Sequence, residues 1–432
     1  YAKEWIQIQK DEILRLGVVT DWENPYIMMD PKIEAEVLKT FATVVEKGYI
    51  ERKGKTIPWC ATCETALATA EIEYQDRVDP SCYILFPFNE ENLKKLFPKV
   101  EVKTAGLLIW TTTPWTIPLN RAVALHPSAT YVLLQGRTED EALVVGEDLA
   151  DDLCNTIGIN KKVLAKVPST AFNSVKVEHP YIDGQEAPII FSDTVMLTDG
   201  TACVHSAPGC GPEDYIMAIK NGIEIYSPLS SDGKYTDEIK PAELSGMSIL
   251  AGQKWSMAKM EEMGRLVYKG KFNHSYPHCW RCHNGLMFRA TDQWFCDLEK
   301  NDIIERSVKK CDDIKFFPDW GKKRLTSSMN SRKEWCLSRQ RHWGIPIPAL
   351  ICSKCDHPYL SPQLIRKVAE GVSERGVEYW DEITINDMSS KGMLGDKLTC
   401  EKCGNQDLEN FKKEYDILDV WFGSGVCHAA VK

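Results

Sequence analysis

No stretch of this 432-residue chain approaches the roughly eighteen consecutive apolar residues that a membrane-spanning helix needs, so no membrane partner is expected. Positive charge is also in short supply. Fifty-two Lys and Arg against 62 Asp and Glu leave a net charge of -10, which excludes a protein that coats nucleic acid and makes any such contact local. There is no low-complexity tract and no repeat of fixed period, and with 43% hydrophobic and 26% charged residues the chain is neither disordered nor fibrous. Tyr1 stands within a helical pattern, with no initiator Met and no signal-like segment, and the expectation is a piece of a longer chain. At roughly 150 residues per domain, the length suggests about three domains.

What the chain has in quantity is cysteine. Eight of its sixteen cysteines form CxxC pairs: Cys60 and Cys63, Cys279 and Cys282, Cys352 and Cys355, Cys400 and Cys403. A secreted disulfide framework is short and loop-rich, whereas paired thiols in a long acidic chain point to zinc knuckles in a reducing, cytoplasmic compartment. Two thiolates so spaced both reach a tetrahedral ion at about 2.3 Å, so two pairs complete one closed site and two zinc ions are expected. Cys352/Cys355 and Cys400/Cys403 fit one ribbon with a small insertion. By elimination "PWCATC" pairs with "PHCWRC" across more than 200 residues, which places an inserted domain between the two halves of a single zinc ribbon. One isolated CxxC would suit redox-active thiols equally well; four favour metal. A closed set of four thiolates leaves no position for water, and none of the nine histidines has Glu two residues on, which excludes a nucleotide deaminase.

Ala2, Ile6, Ile13 and Leu14 share a helical face that Gly17 ends. A second helix is expected over 31–47, with Asp30 as N-cap, Pro31 at its first position, a stripe of Ile33, Val37, Phe41, Val44 and Val45, and Gly48 as the stop. From about residue 101 to 268 the texture is short β-rich runs ("GLLIW", "YVLLQG", "ALVVG", "APIIF", "TVMLTDGTACVH") with turn chemistry such as Asp199-Gly200, which suggests a barrel or sandwich. Residues 321–344 carry seven Lys or Arg against Glu334 alone, a local net of +6, and this basic patch reads equally as a solvated face or as a contact for phosphates.

Two loops suit a small pocket. In "WTTTPWTIPLN" (110–120) three threonines leave an apolar strand; in "VHSAPGCGPEDY" (204–215) a strand ends in His205 and Pro212 starts a helix with Glu213 and Asp214 in its first turn. By residue type alone each has a plainer reading: a threonine strand, a core histidine, an acid facing a helix dipole.

These residues, together with "RLGVVTDWENPYIMMD", "PWCATCETALATAEIEY", "HSYPHCWRC", "WCLSRQRHWGIPIP" and "LDVWFGSG" in that order, resemble the isoleucyl-tRNA synthetases, class I aminoacyl-tRNA synthetases, in their bacterial-like form. Thr111-Thr112-Thr113-Pro114 favours the isoleucyl branch over valyl and leucyl relatives, which typically carry TTRP. The resemblance implies an α/β fold: a partial class I Rossmann catalytic domain with an inserted β-barrel-like editing domain and zinc-ribbon knuckles. Its parts would be a first catalytic piece (1–55), a zinc-ribbon stem (56–100), the editing domain (101–268), the returning stem (269–290), a return to the catalytic domain (291–350), a second zinc knuckle (351–405) and the start of the second catalytic half (406–432).

The implied activity is ATP- and Mg-dependent attachment of isoleucine to its tRNA by a monomer, with hydrolysis of mischarged valyl-tRNA in the insertion. Thr111, Thr112, Thr113 and Asn120 would line the editing pocket, His205 would exclude isoleucine, Asp214 would hold the substrate's α-ammonium, and Trp421 would border the isoleucine site. Cys210 stands where the family usually has His, and Gly423 where it has Asp. The HIGH, KMSKS and GxDQ elements are absent from these residues, so the chain is not expected to form aminoacyl-adenylate alone. The rival readings are a zinc-stapled tRNA-binding module with editing lost, and a free-standing hydrolase of aminoacyl esters.

Overall fold

The computed structural model describes residues 1–431. The chain divides into two compact units: one holds residues 1–50, 297–307 and the chain from Arg341 onward, the other holds Glu51–Cys296 and Val308–Gln340. Among the described residues no helix is long and apolar enough to cross a membrane.

The larger unit is built on three sheets. A six-stranded sheet runs in the order Leu266–Cys279, Ile72–Pro87, Thr104–Thr111, Glu141–Gly146, Thr130–Gln135, Val163–Pro168. Against it lies a four-stranded sheet, Cys203–Ser206, Ala122–Leu125, Glu186–Phe191 and Lys176–Glu178. Ile84, Phe86, Leu107, Ile109, Leu133 and Val144 meet Val123, Leu125, Val177 and Ile189 in the core between the two sheets. The alternate residues Leu85, Leu108, Leu134, Leu143 and Val145 point the other way, onto Leu153 and Cys154 of the helix Ala150–Ile157. Strands buried on both faces read as continuous apolar runs, and this accounts for "GLLIW" and "ALVVG".

The barrel expectation is corrected: the sheets are open layers. The strand Leu266–Cys279 pairs along one edge with Ile72–Pro87, from Leu266 opposite Ile84 to Cys279 opposite Ile72, and Val163–Pro168 at the other end pairs only with Thr130–Gln135, so the two end strands do not meet. The run "TVMLTDGTACVH" is mostly turn, with Gly200 at φ +73° and its N–H donated to Asp199 Oδ1, and only Cys203–Ser206 is strand. The third sheet, ordered Glu334–Cys336, Met287–Asp297, Ile50–Cys60, Thr65–Ala66, has Cys60 at the end of a strand and Cys63 in the turn that follows, while Cys279 ends a strand of the six-stranded sheet.

In the smaller unit the helix Ala2–Arg15 buries nothing, and the helix Pro31–Glu46 begins as expected, with the Asp30 carboxylate accepting the Lys32 N–H. Its buried face is rotated from the expected stripe. Glu34, Ala35, Val37, Leu38, Phe41 and Ala42 are buried, and Ile33, Val44 and Val45 are only partly covered. The cause is the partner helix Pro362–Arg375, which offers Leu364, Ile365, Val368, Ala369 and Val372 to that face. Glu34 is therefore enclosed, and its carboxylate accepts the Val377 N–H at 3.1 Å. Burial raises its pKa from 4.5 to about 7, against the Val377 hydrogen bond and with a further push from Glu378 and Asp30.

The folded chain holds this proton more tightly than the unfolded chain does, so its stability contribution falls as pH rises from 4.5 to about 7 and is level above that. Glu34→Gln keeps an acceptor for Val377 and should flatten that fall. Thermal melts of both proteins across this range test it; parallel curves reject it.

Candidate functional site

The strand Thr104–Thr111 delivers the threonines at its end, and Pro114 then fixes a 3₁₀ turn over Pro114–Leu119. Thr111 Oγ1 accepts the Thr113 N–H at 3.1 Å and lies 3.3 Å from Thr113 Oγ1; Thr112 and Thr113 are half-buried. Below them sits a closed polar cluster. Asn120 has no solvent exposure; its Nδ2 donates to Ala122 O at 2.8 Å and lies 2.7 Å from His205 Nδ1 and 3.3 Å from Ser206 O. With the amide nitrogen so placed, His205 Nδ1 is assigned as acceptor, and the ring proton sits on Nε2, 3.0 Å from Thr116 Oγ1. The Thr116 hydroxyl in turn donates to Thr113 O at 2.9 Å. Burial, with His179 beside it, lowers the His205 pKa to about 3, so this ring is neutral. His179 is equally enclosed, with Nε2 2.9 Å from Ile117 O, and burial takes it to about 3 as well.

Asp214 lies in the first turn of the helix Pro212–Asn221, where its Oδ2 accepts the Ala207 N–H at 2.9 Å. Burial raises its pKa to about 6; the Ala207 hydrogen bond opposes the rise and Glu213 adds to it. Two glycines are required by close approach: a Cβ on Gly211 would fall 2.7 Å from Asp214 Oδ2, and one on Gly209 would fall 2.0 Å from Tyr226 O. Cys210 between them is buried. The structure thus pairs Thr111 with Thr113 and Asn120 with His205, links the two pairs through Thr116, has Thr112 on the same turn, and joins Asp214 to the end of the His205 strand through a backbone N–H. Sequence reasoning passed over Thr116 and His179. Thr116 lies inside the threonine-rich stretch, but nothing in "EHPY" marks His179.

In the smaller unit Trp421 is 48% exposed on the short helix Val420–Gly425, capped by the Asp419 carboxylate accepting the Trp421 N–H at 3.0 Å. Gly423 is buried, and a Cβ there would lie 2.8 Å from Met28 Cε, so the methionine end fills the room a larger residue would take. The basic stretch 321–344 is no uniform solvated face. Arg339 is 4% exposed and its guanidinium grips the Glu71 carboxylate at 2.8 and 3.0 Å, Lys322 pairs with Asp312, and Arg341, His342 and Trp343 line a cavity of about 290 Å³ with Glu378, Asp381 and Tyr415.

The cysteines gather as the spacing predicts, Cys60, Cys63, Cys279 and Cys282 in one group and Cys352, Cys355, Cys400 and Cys403 in the other, each with all four Sγ atoms within 4.8 Å of one another. Sulfur pairs stand at 3.5 Å (Cys60 and Cys282), 3.7 Å (Cys352 and Cys403) and 3.4 Å (Cys355 and Cys400). A tetrahedral ion with arms of about 2.3 Å needs edges of about 3.8 Å, so both groups fit a metal. Every knuckle turns the same way: the residue after the second cysteine has positive φ, at Glu64 (49°), His283 (58°), Asp356 (54°) and Gly404 (71°). The turn brings its N–H back to the first cysteine's carbonyl, from His283 to Cys279 O (2.8 Å), Asp356 to Cys352 O (2.8 Å) and Gly404 to Cys400 O (2.9 Å).

A sequence model of the family described as tRNA synthetases class I (I, L, M and V) matches residues 1–432. Isoleucine–tRNA ligases of Desulfovibrio desulfuricans and Lawsonia intracellularis are each 40% identical to the chain over its full length, and the chain spans 45% of each. That of Brachyspira hyodysenteriae is 41% identical, with the same coverage. Among solved structures, the cytosolic leucyl-tRNA synthetase editing domain of P. knowlesi aligns with 46% of this chain and 97% of that one, at 12% identity and a TM-score of 0.35.

Metal analysis should return about two ions per chain. Cys60→Ser should leave one ion and lower the melting temperature by more than about 4 °C, since metal binding at such sites is folding free energy. An unchanged ion count rejects the pairing.

Proposed function

This chain belongs to the class I tRNA synthetases (I, L, M and V), and we propose that it is the part of an isoleucine–tRNA ligase that carries the hydrolytic proofreading site. The observation that carries the reading is the meeting of the threonine turn, the His205 strand and the Asp214 helix within the inserted sheets; the 40% identity with isoleucine–tRNA ligases along the whole chain supports it. A pocket that accepts isoleucine rejects valine only weakly, because one missing methylene is worth about 1–3 kcal/mol, so the error is removed in a second site by hydrolysis of valyl-tRNA.

In that site the Asp214 carboxylate is the counter-ion for the substrate's α-ammonium, the one cation that all aminoacyl groups share. Thr111, Thr112 and Thr113 place water and the terminal ribose against the ester carbonyl. His205 works from beneath: neutral and enclosed, it holds Thr116, which holds the carbonyl of Thr113, and Asn120 fixes its tautomer. It thereby sets the floor of a pocket too short for isoleucine. With both buried histidines neutral and the threonine hydroxyls uncharged, the site offers no dedicated base.

The full enzyme would use ATP and Mg, with Trp421 bordering the isoleucine pocket. The two thiolate groups would hold zinc, a structural role, since four sulfurs leave no position for a reacting water. Thiolates in this state suit a reducing compartment, in keeping with a cytoplasmic monomer whose partner is the isoleucine tRNA.

The chain should hydrolyse valyl-tRNA made on the isoleucine tRNA, and Asp214→Ala should lower kcat/KM by roughly 10- to 100-fold, the loss of one charged hydrogen bond. Because the folded Asp214 keeps its proton up to about pH 6, kcat/KM should rise through that value and level off above it, with no second step in the histidine range. Absence of hydrolysis by the wild-type chain would leave the zinc-stapled tRNA-binding module as the better account, and full activity in Asp214→Ala would reject the role given to Asp214.

A further inference from the structure

The hydrolytic loop is held from outside its own sheets. Two strands of the sheet that ends in the first thiolate group, Ile50–Cys60 and Met287–Asp297, reach across to it. The Thr56 hydroxyl, 2% exposed, donates to Pro208 O at 2.6 Å, and the Ala290 N–H donates to Gly209 O at 2.8 Å. On the far side of Asp214, the Tyr215 hydroxyl donates to Gly54 O at 3.0 Å. Residues 205–210 are buried, so the two loop carbonyls have no solvent to fall back on; Gly209 O also accepts the Ser227 hydroxyl at 3.2 Å, and Pro208 O relies on Thr56. Asp214 is thus bracketed by hydrogen bonds at 208, 209 and 215, while the bond from Ala207 to its own carboxylate ties the loop to the helix. Cys60 ends the first of these strands, and Cys279 and Cys282 lie just before the second, so the thiolate group sits at one end of the two neighbouring strands that carry the donors.

We propose that Thr56 is a positioning residue for proofreading: through its bond to Pro208 the thiolate-stapled sheet sets where the Asp214 carboxylate stands. Thr56 touches no substrate. This rests on the hydrolytic reading above. A displaced counter-ion weakens ground state and transition state alike, so its signature is a raised KM at nearly constant kcat.

The test replaces the hydroxyl with a methyl of the same size in Thr56→Val and restores it in Thr56→Ser. Thr56→Val should lower kcat/KM for valyl-tRNA deacylation about ten-fold through KM, with metal content unchanged, and Thr56→Ser should recover to within about two-fold. Wild-type kinetics in Thr56→Val, or a serine variant as impaired as the valine one, overturns the proposal. Should the wild-type chain not hydrolyse the ester, the functional reading fails, and amide exchange decides the positioning separately. The Ala207 N–H should then exchange about ten-fold faster in Thr56→Val, and an unchanged rate overturns it. If Thr56→Val does not fold, Tyr215→Phe, which removes the bond to Gly54 at a more accessible position, takes its place in both measurements under the same criteria.

Discussion

Four sulfur atoms close the larger unit's insertion. Cys60 and Cys282 are 222 residues apart in sequence and 3.5 Å apart in space, and everything between them, both core sheets and the candidate site, leaves and returns through that point. Closing so long a loop has an entropic cost that grows only slowly with length, so one metal-sized staple suffices where a short loop would gain little from it. The antiparallel arm formed by Ile72–Pro87 and Leu266–Cys279 begins at this staple, with Cys279 opposite Ile72, and the register fixed there holds as far as Tyr268 opposite Tyr83, beyond which it shifts.

The site that this arm supports handles charge sparingly. Its two enclosed histidines are neutral, the Thr116 hydroxyl is linked to a backbone carbonyl, and the buried Asp214 carboxylate stands at the helix start with its proton partly retained. Low dielectric strengthens whatever polar contact is satisfied and penalises what is not. The cluster accepts some of that penalty. Asn120 Oδ1 and Ser206 Oγ are buried without a partner, while Asn120 Nδ2 faces three acceptors with two hydrogens. That arrangement fixes the amide's orientation and, with it, the histidine tautomer.

How much of this was legible in the sequence depended on how local the cause was. CxxC pairs, the Asp30 cap and the Pro212 helix start are decided within a few residues, and the structure has each of them. The rotated face of Pro31–Glu46 was not legible, because the helix that selects it begins at Pro362. Arg339 read as part of a basic patch, either solvated or facing phosphates, because its partner Glu71 is 268 residues away. Apolar strands look alike in a closed barrel and in layers buried on both faces, and what tells them apart is that the end strands Leu266–Cys279 and Val163–Pro168 do not pair. Thr116 and His179 act through hydrogen bonds that exist only once distant strands meet.

The knuckle turns constrain how the sequence can drift. Glu64, His283 and Asp356 hold a left-handed backbone that costs a side-chain-bearing residue roughly 1–2 kcal/mol each, and only Gly404 avoids it. At three of the four positions the chain carries a residue that the bare loop would disfavour, a cost that a bound metal would outweigh several-fold. A descendant that lost its cysteines would therefore inherit three misfit residues, and drift toward glycine at 64, 283 and 356 would be the trace of a staple no longer in use.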